Sequence, residues 1–447
     1  MKEKGGQRKT NSKKTFRKIG PSAAFFLTLG LVLLTGLSGM TLLKVFAGSG
    51  SEGQKENNSQ NGFWEAEASK DGSSDDADGK GEFYLPWETI PQKEEKGQPE
   101  LPESRYGAVL ADSEYMQQNN IVSLEAAQKE IVSLGFVGDI LMDDEYAIMA
   151  KLLERGGNIE DGLSEELLAK MREVDIMVVN NEFAYTNRGE PLPEKTYTFR
   201  ASDDAVKYLH DMGADVAILA NNHVFDFGEV GLLDTLDTLK GADIPYVGAG
   251  RDIEEASAPL YIIINDIKIA VVAATQIERL ENPDTRGAGE GLPGVFRCLN
   301  PQRLYETVAQ AKENSDFVIV YIHWGTEMET EPDLFQLDQA PKLAEAGADL
   351  IIGDHPHCLQ GITFFGDTPV IYSLGNFWFN SRVMDTGMVR VEISREGIES
   401  FQFIPALQSD CRTDLVYGEE KERILSHMRE LSPEVQIDQD GYVTRQK

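Results

Sequence analysis

The sequence predicts an α/β fold. From Ile131 onward, short β-rich runs alternate with stretches of helical polar–apolar period. The β-rich runs are IVSLGFVGD at 131–139, DIMVVNNE at 175–182, DVAILANN at 215–222, FVIVYIHWG at 317–325 and DLIIGDHPH at 349–357. Between and around them lie the helical stretches DDAVKYLHDMG, LLDTLDTLKGA and FQLDQAPKLAEAGA. Alternation of this kind marks sheets covered by helices. A hairpin is expected around Asn265-Asp266 in APLYIIINDIKIAVVAAT, and late strands in TPVIYSLGNFWF, GMVRVEIS and ESFQFIPA, which makes the sheet mixed. No internal repeat is visible.

The amino-terminal part has a different texture. Residues 1–18 are basic, with Lys2, Lys4, Arg8, Lys9, Lys13, Lys14, Arg17 and Lys18, and Ile19–Leu43 is an uncharged run of 25 residues. About 20 apolar residues cross a bilayer as a helix, and the flanking positive charges hold the first residues on the cytoplasmic side. A single-pass membrane anchor with an extracytoplasmic main domain is therefore expected. The run exceeds the usual 7 to 15 apolar residues of a signal peptide, although Val45-Phe46-Ala47 offers small residues for cleavage and secretion. Residues 44–130 read as an acidic, flexible linker rich in Gly, Ser and Pro. The catalytic-looking part runs over 131–408, and 409–447 is left as a C-terminal tail that either packs on the domain or reaches a partner.

Composition narrows the function. The chain has 447 residues and a formal charge of −33, and the first 50 residues hold nine of its 42 Lys and Arg. A surface this acidic argues against a nucleic-acid partner, because phosphate contacts need basic patches. Cys298, Cys358 and Cys411 are odd in number and widely spaced, which excludes a disulfide framework or a cysteine-rich zinc module. Cys358 reads as a small buried hydrophobe.

Five of the strand-like runs end in side chains that bind metals or move protons. These are Asp139 after GFVG, Glu182 in NNE, Asn222-His223 in ANNH, His323 in HWG, and His355 with His357 in GDHPH. Ligands gather outside the carboxyl ends of strands in α/β sheets, so residues this far apart in sequence can converge there. Four of only six histidines sit in these places. Carboxylates, imidazoles and an amide oxygen suit Mn, Zn or Fe, and one or two such divalent ions could clamp the oxygens of a phosphoester. Lys195 and Arg200 in EKTYTFR either grip an anionic substrate group or form a surface charge pair. Asn376 in SLGNF either orients a ligand loop or turns the chain. Trp324 and Glu327 beside His323 are either a lid wall and a carboxylate behind an imidazole, or ordinary packing and a solvated charge.

Taken in order, GDIL at 138–141, NNE at 180–182, K-x-Y-x-F-R at 195–200, LANNHVFDFGEVGLLDTL at 219–236, HWGTE at 323–327, GDHPHCLQG at 353–361 and YSLGNFWF at 372–379 resemble the CapA-type family of capsule and poly-γ-glutamate synthesis proteins. The resemblance covers about Leu134 to Leu407. That family is in turn similar to calcineurin-like metallophosphoesterases, which implies a sandwich of two mixed sheets flanked by helices and a site for two divalent ions. It implies that Asp139 binds the first ion, Glu182 bridges both, Asn222, His323 and His355 hold the second, and His357 returns to the first. It also implies that His223 protonates the leaving oxygen with Asp226 orienting it. One departure stands out: phosphoesterases of this type carry a His two residues after the first Asp, and here that position is Leu141.

Two functions follow from this reading. One is an anchored extracytoplasmic metallohydrolase acting on an anionic surface polymer, its lipid-linked intermediate or a small phosphoester. The other is a non-catalytic accessory subunit, joined to membrane subunits that synthesise or export the polymer. Besides these, the lipid bilayer is the only expected partner.

Overall fold

A computed structural model describes residues 104–128, 130–277 and 285–446. The expected basic segment, membrane helix and most of the linker lie outside the described residues. Among the described residues, no helix is long and apolar enough to cross a membrane.

Two mixed sheets face each other. The first has seven strands in the spatial order Ile121–Ser123, Leu260–Ile264, Ile267–Thr275, Phe317–His323, Leu350–Asp354, Thr368–Ile371 and Ile362–Phe365. Its central strands 267–275, 317–323, 350–354 and 368–371 run parallel. The second sheet orders Arg412–Leu415, Gly397–Ser409, Met384–Ser394, Val132–Ile140, Ile176–Asn181, Val216–Ile218 and Tyr246–Val247, with Asn376–Trp378 lying beside Val132–Ile140. The expected hairpin forms at Asn265-Asp266, both at positive φ, the geometry of a tight turn between antiparallel strands.

Strand alternation builds four layers. Phe317, Ile319 and Tyr321 point into the core between the sheets with Leu134, Phe136, Ile176 and Val178, while Val318, Val320 and Ile322 point outward under the helices Gln302–Asn314 and Leu334–Ala346. On the far face of the second sheet, Met177, Val179 and Ala217 meet helices Ala147–Arg155, Glu165–Arg172 and Gly228–Gly241. Strands buried on both faces explain the near-continuous apolar runs. The fold is therefore mixed α/β, with helices outside a pair of mixed sheets.

Two expected boundaries move. The linker is expected to reach residue 130, yet Ile121–Ser123 pairs in parallel with Leu260–Ile264 as the edge of the first sheet, and Ile121 is buried there. Three residues are too few for periodicity to mark them as a strand. At the other end, residues 409–446 pack on the domain: helix Gly418–Leu431 sends Ile424, Leu425 and Met428 into the core between the sheets, and Val435, Ile437 and Val443 follow from a short hairpin.

Candidate metal centre

Strands 132–140 and 176–181 of one sheet and 317–323 and 350–354 of the other end at the same edge of the sandwich, and the loop after 216–218 joins them. Parallel pairing aligns the ends: Asp139 is opposite Asn180, and His323 is opposite Asp354. The chain emerging at the last of these ends is held in unusual backbone conformations, with φ of 101° at His355 and 57° at His357. Such conformations persist only where the surroundings over-determine them, and they cluster at functional sites.

Two groups converge on one carboxylate. Glu182, His323 and His355 form the first, and Asp139, Glu182 and His357 the second, each with its ligand atoms within 4.8 Å of one another. In the first group His323 Nε2 lies 2.8 Å from Asn222 Oδ1, 3.2 Å from His355 Nδ1 and 3.4 Å from Glu182 Oε1. In the second, His357 Nδ1 lies 2.9 Å from Asp139 Oδ2, while Asp139 Oδ1 accepts from the Asn180 amide at 2.7 Å.

The charges fit a cation between these groups. Both oxygens of Glu182 are fully buried and accept no hydrogen bond. An unpaired buried carboxylate is among the costliest groups a protein can hold. Burial, reinforced by the Asp139 and Asp354 charges, pushes its pKa well above the ordinary value. Burial likewise pushes His323 down to about 3 and His355 well below its usual range, so both imidazoles are neutral and offer lone pairs. At Asp139 burial opposes ionisation, but His357, His323 and Asn180 outweigh it and hold the carboxyl below its ordinary value. The same bond to Asp139 lifts His357 above its own, against burial. Carboxylates, neutral imidazoles and one amide oxygen around a shared glutamate are the donors a divalent ion takes.

Beside this cluster stands a hydrogen-bonded chain of His223, Asp226 and Lys195. His223 Nδ1 lies 2.7 Å from Asp226 Oδ2, and Nε2 faces Glu182 Oε1 at 3.9 Å. The imidazole also packs on Phe199, with ring centroids 4.3 Å apart. Asp226 Oδ2 further accepts from the Phe199 N–H at 2.7 Å, and Lys195 Nζ lies 2.5 Å from Oδ1. Burial pushes the Asp226 carboxyl up to about 7 against the pull of Lys195, and burial with the Lys195 charge pushes His223 well below its ordinary value. The imidazole is then neutral, donating Nδ1–H to Asp226 and presenting Nε2 to the cluster.

Lys195 corrects an expectation. It does not reach outward for a substrate anion: its side chain is only 6% exposed and its ammonium holds Asp226 and the Asn222 carbonyl. Lys195→Met is therefore expected to leave the buried Asp226 without its counter-charge and to lower the unfolding free energy by up to about 3 kcal/mol, read from urea denaturation of the purified protein. Arg200 lies apart from these contacts. Its guanidinium sits 4.5 Å over the Phe227 ring and 3.6 Å from Glu145, about one-third exposed. Trp324 is ordinary packing, fully buried with its indole N–H on the Tyr372 carbonyl, and Glu327 is exposed. Cys358 is half-buried rather than a core residue, and burial pushes its thiol up to about 11.

Several members of the site were not singled out from the sequence. Asn180 ties Asp139 to His323, with its Nδ2 3.3 Å from His323 Nδ1. Asn221 accepts from the His223 and Val224 N–H groups and donates to Asn180, and so shapes the loop carrying Asn222 and His223. Asp354 takes the Tyr321 hydroxyl behind the imidazoles. Their common signal is a polar side chain at the end of an apolar strand, inside the motifs NNE, ANNH and GDHPH.

A sheet-end cluster of this composition, sharing one glutamate and flanked by a histidine–carboxylate pair, defines a candidate metal-binding centre of a mixed α/β protein. Residues 133–381 match the model of the family described as bacterial capsule synthesis protein PGA_cap, and the chain belongs to that family. It is 30% identical to the PGA biosynthesis protein CapA of Bacillus subtilis (strain 168) over 281 residues, 62% of this chain and 71% of that one. It is 28% identical to the capsule biosynthesis protein CapA of Bacillus anthracis over 312 residues, 66% of this chain and 72% of that one. Among solved structures, TT1561 of Thermus thermophilus aligns over 60% of this chain and 100% of that one at 8% identity, with a TM-score of 0.31.

Proposed function

We propose that this protein is a metal-dependent hydrolase of the phosphoesterase type that serves capsule or poly-γ-glutamate production, anchored in the cell membrane by residues 19–43 with its domain on the extracytoplasmic side. The observation that carries the reading is Glu182, an orphaned buried carboxylate shared by two donor groups and faced by the Nε2 of a histidine that belongs to neither. A purely structural ion has no use for that histidine. Bound at Asp139, Glu182 and His357 on one side and at Glu182, Asn222, His323 and His355 on the other, divalent ions would polarise a phosphoryl group and lower the pKa of a nucleophilic water.

The chain's own residues do the rest. Asp226 holds His223 by Nδ1 and stabilises the imidazolium that forms when Nε2 takes up a proton, the form from which Nε2 would protonate the leaving oxygen. Phe199 fixes the ring plane from one face. Lys195 favours the anionic form of Asp226 against burial and so bears on how readily the pair takes up a proton. Arg200, about one-third exposed, would meet an anionic substrate group.

The test is turnover of bis(p-nitrophenyl) phosphate by the full chain in mild detergent, loaded with manganese and then stripped with a chelator. The reading expects metal-dependent hydrolysis. In the same assay Arg200→Ala is expected to raise KM roughly tenfold at unchanged kcat, the signature of lost uniform binding. One observation favours a second reading, a non-catalytic accessory subunit of a polymer synthesis or export complex: Leu141, apolar and buried, stands where an imidazole would complete the first ion's ligands. Bound metal with no turnover on any phosphoester would favour that reading.

A further inference from the structure

The ion beside Asp139 has only Asp139, Glu182 and His357 among the carboxylates and imidazoles of its group. Leu141 cannot add to them, because its side chain is buried in the apolar cluster under the helices and its N–H is tied to the Trp378 carbonyl at 2.9 Å. That bond belongs to a second structure at the same place. The short strand Asn376–Trp378 pairs in parallel with the end of Val132–Ile140, in a register that sets Asn376 directly opposite Asp139. The approach is close. Asp139 N–H donates to the Gly375 carbonyl at 3.0 Å, and a Cβ on Gly138 would stand 1.9 Å from that oxygen, so only glycine is tolerated at 138. Gly375 turns the chain there with φ of 67°.

This pairing brings one more donor to the site. Asn376 is 2% exposed, and its amide lies against the His357 imidazole that bonds Asp139. Nδ2 points to the Met384 sulfur at 3.5 Å, a weak acceptor, and Oδ1 is buried facing the His357 imidazole with no donor in full hydrogen-bond geometry. A buried amide oxygen without a donor calls for a partner. Resting on the metal-centre reading above, we propose that Asn376 Oδ1 is the fourth protein ligand of the ion at Asp139, Glu182 and His357, supplied from the neighbouring strand in place of the side chain at 141. The GDIL and SLGNF motifs then form one half of the centre together. An amide is neutral, so this half carries fewer negative charges than a carboxylate would provide.

The experiment is a manganese titration of the full chain in mild detergent, followed by calorimetry and electron paramagnetic resonance, for the parent, Asn376→Leu and Asn376→Asp. The parent is expected to take up two ions with a spin-coupled signal. Asn376→Leu is expected to bind the Asp139-side ion at least about tenfold more weakly and to show an isolated manganese signal. Asn376→Asp should keep the coupled pair and bind that ion about tenfold more tightly, since affinity follows the charge of the ligands. The aspartate variant decides the matter even if the leucine variant does not fold: an unchanged affinity there overturns the role of Asn376 while the metal centre stands. A parent that binds no manganese overturns the metal-centre reading itself, and this inference with it.

Discussion

Replacing Glu182 by glutamine is expected to strip the protein of both ions and also to stabilise its metal-free fold. The carboxylate is the one group that both donor sets share, so its loss leaves each ion a ligand short and removes the charge that holds them together. Metal affinity should fall at least about a hundredfold, beyond the range seen when only a supporting partner is lost. Stability moves the other way. Burial raises the folded-state pKa of Glu182 above its unfolded value, so the metal-free fold binds a proton that the unfolded chain releases. The associated stability is full below the ordinary glutamate pKa and is lost as pH rises through the raised one. After chelation, the parent should therefore unfold more easily at pH 8 than at pH 5. Glu182→Gln should lessen that dependence and leave the chelated protein more stable than the parent at pH 8. Urea midpoints of chelated protein at the two pH values, with metal content by mass spectrometry, check both halves.

The second large effect belongs to His223. It is no member of either donor group, yet its Nε2 faces Glu182, and its Nδ1 is fixed by Asp226. His223→Gln is expected to lower kcat by about 10²–10⁴-fold, the usual worth of a positioned proton donor, while manganese content stays at the parent value. His355→Ala should do the reverse and lose metal from the His323 side. A kcat unchanged in His223→Gln would move the protein to the accessory-subunit reading. Asp226→Asn should lie between, because removing the carboxylate takes away what stabilises the imidazolium, and the alkaline limb of its pH profile should move to lower pH.

The sequence carries the local features well and the tertiary ones poorly. Strand runs and the polar residues closing them are local, so Asp139, Glu182, Asn222, His323, His355 and His357 are legible in it, and the structure brings all six together. His223 is legible in the same way, whereas its proton-donor role and Asp226 come from the resemblance of LANNHVFDFGEVGLLDTL, and the two lie in hydrogen-bond contact. Lys195 departs from its expected role because nothing in EKTYTF says that the loop folds under residues 222–226 and carries the ammonium inside with Asp226. Ile121–Ser123 is hidden because a three-residue edge strand has too little pattern to stand out from a linker. Asn376 reads as a turn residue as readily as a ligand-loop residue. Its significance lies in the pairing of two strands about 240 residues apart in sequence, a register that only the fold reveals.

Manganese-loaded crystals of the protein, measured at a wavelength where the metal scatters anomalously, test the central claim most directly. The account predicts two peaks about 3.5–4 Å apart, one among Asp139, Glu182 and His357 and the other among Glu182, Asn222, His323 and His355, with Glu182 touching both. An anomalous map without a peak at Glu182, in crystals whose fold is intact, would contradict it.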